Sequence, residues 1–249
     1  MTHPPACRIV VALGALGALA AACTQKSAPG AAPSLTVRGT ELVLTTADGR
    51  ALRSADLVGA TLTIGAVNVR LDAVDRDPGA YGEVHRHRFV VVGRDGATSV
   101  LCEADPDGDR WAIPLLDDRG QVQLVCSSGA IVKCVRWGYP PSMPALHQAC
   151  VRMVRADYGG TGATATRDGT RIAFCDHAGV HPCADHGRLE AAWSSTGATC
   201  VASPRIPELI TLDQLAERYP HLSGHLGGDA CTLAVATQDP RAVLLSFFP

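Results

Sequence analysis

The chain has 249 residues, with 22 Lys and Arg against 24 Asp and Glu and a formal net charge of −2. This balance excludes the basic footprint of a nucleic-acid binder or a polybasic membrane binder. With only 3 Trp, 4 Tyr and 4 Phe, any core must be built mainly from Val, Leu, Ile and Ala.

Residues 1–22 have the pattern of a secretory leader. Arg8 is followed by an apolar and small-residue run over 9–22, shorter than the roughly 20 residues a membrane span takes. The string Leu19-Ala20-Ala21-Ala22-Cys23 resembles a bacterial lipobox, with Leu one place early. The resemblance implies a diacylglycerol thioether on Cys23, cleavage before it, and acylation of the new amine. Several acyl chains at ~0.8 kcal/mol per buried CH₂ make such anchoring effectively permanent. The alternative is an ordinary leader in which Cys23 is incidental. Thr24 follows where an Asp would signal inner-membrane retention, so the expected address is the cell envelope, lipid-anchored at the outer membrane and facing the periplasm or the cell surface. Residues 23–34 complete the anchor and add a flexible Pro/Ala/Gly/Ser tether.

From residue 35 to about 101 the pattern has period two. Thr61-Leu62-Thr63-Ile64 and Val67-Asn68-Val69-Arg70-Leu71 alternate as half-buried strands do. Phe89-Val90-Val91-Val92 reads as a strand buried on both faces. Asp48-Gly49, Asp77-Pro78-Gly79 and Asp95-Gly96 supply hairpin turns. Further strands are expected at 111–113, 121–125 and 130–135. His85 and His87 share a face of one strand, and the expectation for them is polar surface.

At Pro144 the period changes. Leu146, Ala149, Cys150 and Met153 are spaced for a helix over 144–157, with Ser142 as N-cap and Gly159-Gly160 as terminator. Beyond it, strands are expected at 171–174, 232–235 and 242–248. Thr211-Leu212-Asp213-Gln214 opens a short helix with a capping box that stops at Pro220.

Apart from Cys7 and Cys23, eight cysteines remain: Cys102, Cys126, Cys134, Cys150, Cys175, Cys183, Cys200 and Cys231. An even number in an oxidising compartment implies four disulfides, in any of 105 connectivities. The stretch from 24 to 101 has no cysteine.

Around the central helix the strings Cys134-Val135-Arg136-Trp137-Gly138-Tyr139, Leu146-His147-Gln148-Ala149-Cys150-Val151-Arg152-Met153-Val154-Arg155-Ala156-Asp157-Tyr158 and Arg167-Asp168-Gly169-Thr170 are similar to the bacterial ADYC domain. That family is named for an Ala-Asp-Tyr-Cys string, and the resemblance covers roughly residues 125–205. Here Gly159 stands in place of the family's cysteine. If that cysteine is normally bonded, its partner is absent too, and Tyr219 is the candidate for the vacated position. The family has no established activity to carry over.

Three clusters could carry chemistry. Cys175, Asp176, His177, His181, Cys183, Asp185 and His186 offer zinc-type ligand atoms, but oxidised cysteines are poor ligands and a structural loop is the favoured reading. Asp105, Asp107 and Asp109 resemble a calcium loop that lacks its downstream Glu, so an Asx turn is expected. His147, Arg152, Arg155, Asp157 and Tyr158 could hold a carboxylate or a sugar, or could end the helix. No nucleophile–base pair accompanies them.

The expected fold is a β-rich α+β protein: an antiparallel β sandwich or barrel-like part over 35–125, then a disulfide-stapled α+β part with one main helix over 126–249. The expected role is a non-catalytic binding or structural module of the cell envelope, with no cofactor or metal. Its expected partners are the membrane, through the lipid, and an envelope protein or glycan. The alternative is a hydrolase or metal-dependent enzyme acting through His147 and Asp157 or through His177 and His181.

Overall fold

The computed structural model describes residues 32–105, 108–183 and 187–249. The described residues are strand-rich, with three antiparallel sheets, four α-helices and no closed barrel among them. The chain forms two compact units. Of the described residues, one takes those from 32 to Pro78 and from Glu83 to Ser128, and the other takes Gly79–Gly82 and those from Gly129 to Pro249.

The first unit holds two sheets. β1 (Ser34–Arg38), β2 (Glu41–Thr45) and β3 (Ala51–Arg53) form a three-stranded meander, followed by a 3-10 turn at Ser54–Leu57. β4 (Thr61–Ile64), β5 (Val67–Arg76), β6 (His85–Val92), β7 (Thr98–Val100), β8 (Ala112–Leu116) and β9 (Val122–Cys126) form the larger sheet, in order β4-β5-β6-β8-β9 with β7 also on β6. Leu42, Leu44, Leu57, Leu62, Leu71 and Phe89, drawn from both sheets and the turn, share one core. β8 tolerates Pro114 because it meets β6 only at Ala112 opposite His87, so most of that edge needs no ladder donor.

β6 alternates rather than burying both faces. His87 and Phe89 point inward with their rings stacked 5.8 Å apart, whereas Val90, Val91 and Val92 are half-buried. The expectation of polar surface at His87 is therefore overturned. The side chain is fully buried, and its Nε2 is hydrogen-bonded to the equally buried Ser54 hydroxyl at 2.7 Å.

The second unit is built from α1 (Ala130–Arg136), α2 (Pro144–Arg155), β10 (Ala173–Asp176), β11 (Leu189–Ser194), β12 (Gly197–Val201), α3 (Leu212–Arg218), α4 (Leu233–Gln238) and β13 (Leu244–Phe247). Its sheet runs β10-β13-β11-β12, and α2 packs on it through Leu146, Ala149, Cys150 and Met153. Segment 130–135 is a helix, not the expected strand. Val132 and Val135, three residues apart, bury one side of it, and Cys134 bonds to Cys150 of α2. Helix propensity costs only a few tenths of a kcal/mol at each β-branched residue, so packing and the cross-link decide. Segment 232–235 likewise opens a helix, capped by the Thr232 hydroxyl accepting from Val235 N–H. The strand expected at 171–174 starts two residues later, and Met143 rather than Ser142 is the N-cap of α2.

The eight described cysteines pair in chain order: Cys102–Cys126, Cys134–Cys150, Cys175–Cys183 and Cys200–Cys231. The first bridge lies inside the first unit, so cross-linking is not confined to the second. Each closed loop contributes about 2–4 kcal/mol by constraining the unfolded chain.

Candidate binding surface of the second unit

The polar residues at the end of α2 form a knot. Ala156 adopts the left-handed conformation at φ 51, the only described non-glycine residue with positive φ, and so ends the helix three residues before the expected glycines. Asp157 then turns back. Its carboxylate pairs with Arg152 and accepts the backbone N–H groups of Thr161 and Gly162, at 3.1 and 2.8 Å. Tyr158 runs inward, stacks on Trp193 at 5.2 Å, and donates its hydroxyl to Glu190 at 2.8 Å. Burial, and then the Glu190 charge, push the Tyr158 pKa well above the usual phenol range, which keeps the donor protonated.

Arg205 completes this arrangement from inside. Its guanidinium bonds Glu190 twice and reaches the carbonyls of Met153 and Val154 at the end of α2, while its backbone N–H donates to the Tyr158 hydroxyl. Gly160 packs against the β11–β12 turn, where a Cβ would lie 1.6 Å from Thr196 O, so only glycine fits. Of the residues that could have held a carboxylate or sugar, Arg152 and Asp157 are thus spent on one another, and Tyr158 on Glu190 and Arg205. His147 is also buried, and its Nδ1–H donates to Tyr139 O at 2.7 Å. It is not brought into contact with Asp157.

The second cluster closes a loop. Cys175 and Cys183 are bonded to each other, which removes both sulfurs as ligands. The buried Asp176 accepts the Tyr139 hydroxyl at 2.8 Å and the backbone N–H groups of Val180 and His181. Tyr139 is held protonated by its burial and by the Asp176 carboxylate. His177 is exposed, and Asp185 and His186 lie outside the described residues. Among the described residues no group of three or more His, Cys, Asp or Glu side chains converges as a metal site. In the aspartate-rich loop, Asp105 Oδ1 accepts Asp109 N–H at 2.8 Å in an Asx-type turn, and Asp107 is outside the described residues.

That loop does build a surface. His181 Nε2–H donates to Trp137 O at 2.7 Å, and its ring centre lies 4.9 Å from Tyr81, 4.9 Å from Phe174 and 5.6 Å from Tyr139. Trp137 in turn packs 4.6 Å from Phe174. Tyr81 is 56% exposed, and Trp137, Phe174 and His181 are half-buried, so the cluster is partly open to solvent. Tyr81 also lies over Gly138, where a Cβ would fall 2.8 Å from its ring. Four of the eleven aromatic residues thus meet around one histidine. Positions 81, 137, 139, 174 and 181 carry no common period in the sequence. Only Trp137 and Tyr139 are near one another in the sequence, so the cluster is a product of the fold alone.

The model of the ADYC domain matches residues 54–207. The chain belongs to the ADYC domain family. The match covers more than half of the chain and begins at Ser54 in the first unit, well before the stretch near α2 where the resemblance is densest. It includes every residue of the aromatic surface and of the Asp157 knot, while Tyr219 and Cys231 lie beyond it. No curated protein and no solved structure matches the chain significantly. In this ADYC domain the name-giving residues Ala156, Asp157 and Tyr158 are the parts of the knot that ends α2.

Proposed function

We propose that this protein is an exported lipoprotein of the cell envelope, held at the outer membrane by a lipid on Cys23, whose ADYC domain is a non-catalytic module that binds envelope glycan. The observation that carries the binding role is the partly exposed ring surface of Tyr81, Trp137, Phe174 and His181. Aromatic side chains offer a rigid apolar face with a polar edge, which suits the C–H faces and hydroxyl rim of a sugar ring. The Asp176 loop and the Cys175–Cys183 bridge hold the His181 ring in place, which lowers the ordering cost of binding. The leader pattern and the lipobox-like string support the address, and the four disulfides are consistent with an oxidising compartment.

Sedimentation of the mature protein with isolated peptidoglycan sacculi tests the binding role. Retention should fall at least tenfold in Tyr81→Ala and Trp137→Ala, with folding unchanged. Equal retention of these variants, or none of the parent, would sink the reading. Cys23→Ser should abolish labelling by a fatty-acid analogue and release the protein from the membrane fraction. Turnover in a hydrolase-substrate panel, abolished by chelator or by His177→Ala, would favour the enzymatic alternative instead.

A further inference from the structure

The four bridges differ in access. Cys102, Cys134, Cys150, Cys175, Cys200 and Cys231 are buried and Cys126 is half-buried, which leaves Cys183 as the only exposed half-cystine among the described residues. Reduction starts with attack of a thiolate on one sulfur, so access selects the bond that reacts first. Cys175 and Cys183 are also only 8 residues apart, against 16, 24 and 31 for the other pairs. A shorter closed loop constrains the unfolded chain less, so its opening costs the fold least.

The bridge closes a specific structure. Between its ends, Asp176 bonds the backbone N–H groups of Val180 and His181, and Asp176 N–H donates to His181 O at 3.0 Å. These bonds deliver the His181 ring to Trp137 O and to the Tyr81, Tyr139 and Phe174 rings.

We propose that Cys175–Cys183 is a thiol–disulfide exchange site, attacked at Cys183 by an external dithiol, and that its oxidation state sets whether the His181 loop is held in the aromatic cluster. The reagent's thiolate bonds to Cys183 Sγ and expels the Cys175 sulfur as a thiolate, which takes up a proton. The reagent's second thiol, as thiolate, then attacks its own sulfur in the mixed disulfide and releases Cys183, which is protonated in turn. Two electrons and two protons reach the protein, and the dithiol leaves as a disulfide. The proposal does not depend on glycan binding, because its readout needs no sugar.

The test exposes the folded, mature full-length protein to graded dithiothreitol. Alkylation with peptide mapping then locates the thiols, and amide hydrogen exchange follows the loop. Cys175 and Cys183 should be labelled at least tenfold faster than the other six half-cystines. The amides of Val180 and His181 should then exchange at least tenfold faster, while the α2 amides keep their protection. The variant C175S/C183S should reproduce the reduced pattern without reductant. Earlier labelling of any other pair, labelling only with global unfolding, or unchanged loop exchange after reduction would each overturn the proposal.

Discussion

Tyr219 lies with its ring edge on Gly159, so close that a Cβ added there would fall 2.2 Å from Tyr219 Cε1 and 2.4 Å from Cδ1. Real Cβ atoms do not approach other carbons that closely, so the absence of a side chain at 159 and the ring at 219 are one arrangement. Gly159→Ala should destabilise the protein by about 1–3 kcal/mol through overpacking. Tyr219→Ala alone costs lost ring contacts, and the double variant should recover most of the clash. A double-mutant cycle from urea midpoints reads this coupling. Additive effects would show that the ring simply swings away.

Gly159 stands where the family's fourth letter, a cysteine, would be. A disulfide needs Cβ atoms about 3.5–4.5 Å apart, and Tyr219 Cδ1, two bonds from its own Cβ, already lies 2.4 Å from the Gly159 position. Gly159→Cys with Tyr219→Cys should therefore oxidise to a fifth bridge. Intact mass under non-reducing conditions, with no alkylation by iodoacetamide, checks the outcome, and two titratable thiols would contradict it.

Much of this architecture was legible because local rules and tertiary structure agreed. The alternating runs at 61–64 and 67–71 became β4 and β5, and the Thr211 capping box formed as spelled, with Gln214 N–H bonded to the Thr211 hydroxyl. The failures share a cause. Half of the residues in 130–135 and in 232–235 are β-branched, yet each segment lies in a short helix set by a bridge or a cap. No periodicity could show that Ser54 waits beneath His87, or that the 79–82 segment supplies Tyr81 to the ring cluster of the second unit. Candidate ligands such as Asp157 and Asp176 were visible as residue types, but their commitment to backbone N–H groups was not.

The buried His87–Ser54 contact makes stability depend on acid. Burial, and secondarily His85, lower the His87 pKa from 6.5 to about 4. Above 6.5 the imidazole is neutral whether the chain is folded or not, so its full stability is present. As pH falls from 6.5 toward 4, the unfolded chain takes up a proton that the folded one refuses, and stability drops by about 3 kcal/mol in total. Ser54 already accepts Leu42 N–H at 2.8 Å. Urea midpoints across this window should slope in the parent and flatten in His87→Gln. An equal slope in both would assign the acid sensitivity elsewhere.

Arg205 and Glu190 are each almost fully buried, with side chains 3% and 1% exposed. Removing one partner strands the other charge, which typically costs about 3–5 kcal/mol. Arg205→Met should also leave the Met153 and Val154 carbonyls without their side-chain donor at the end of α2. Converting both residues, as Arg205→Met with Glu190→Leu, removes the stranded charge and should cost less than the single changes added together. Denaturant unfolding of the three variants decides, and simple additivity would mean that the pair is not coupled.

Asp157 gives the sharpest division between a ligand site and a structural knot. Its side chain is wholly buried, and one oxygen accepts Thr161 N–H while the other accepts Gly162 N–H and pairs with Arg152. Asp157→Asn keeps the shape but turns an NH₂ group toward a donor it cannot accept, and it removes the charge that Arg152 meets. Loss of those bonds in a buried place should cost about 3 kcal/mol. Arg152 is partly exposed, at 22% of its side chain, so Arg152→Ala should cost nearer 1 kcal/mol because water replaces much of what is lost. A binding or catalytic aspartate would show the opposite pattern, with near-native stability and lost function. Thermal unfolding of Asp157→Asn, measured beside its retention on sacculi, separates the two. A native melting temperature would remove the structural role assigned to the middle of the Ala156-Asp157-Tyr158 string.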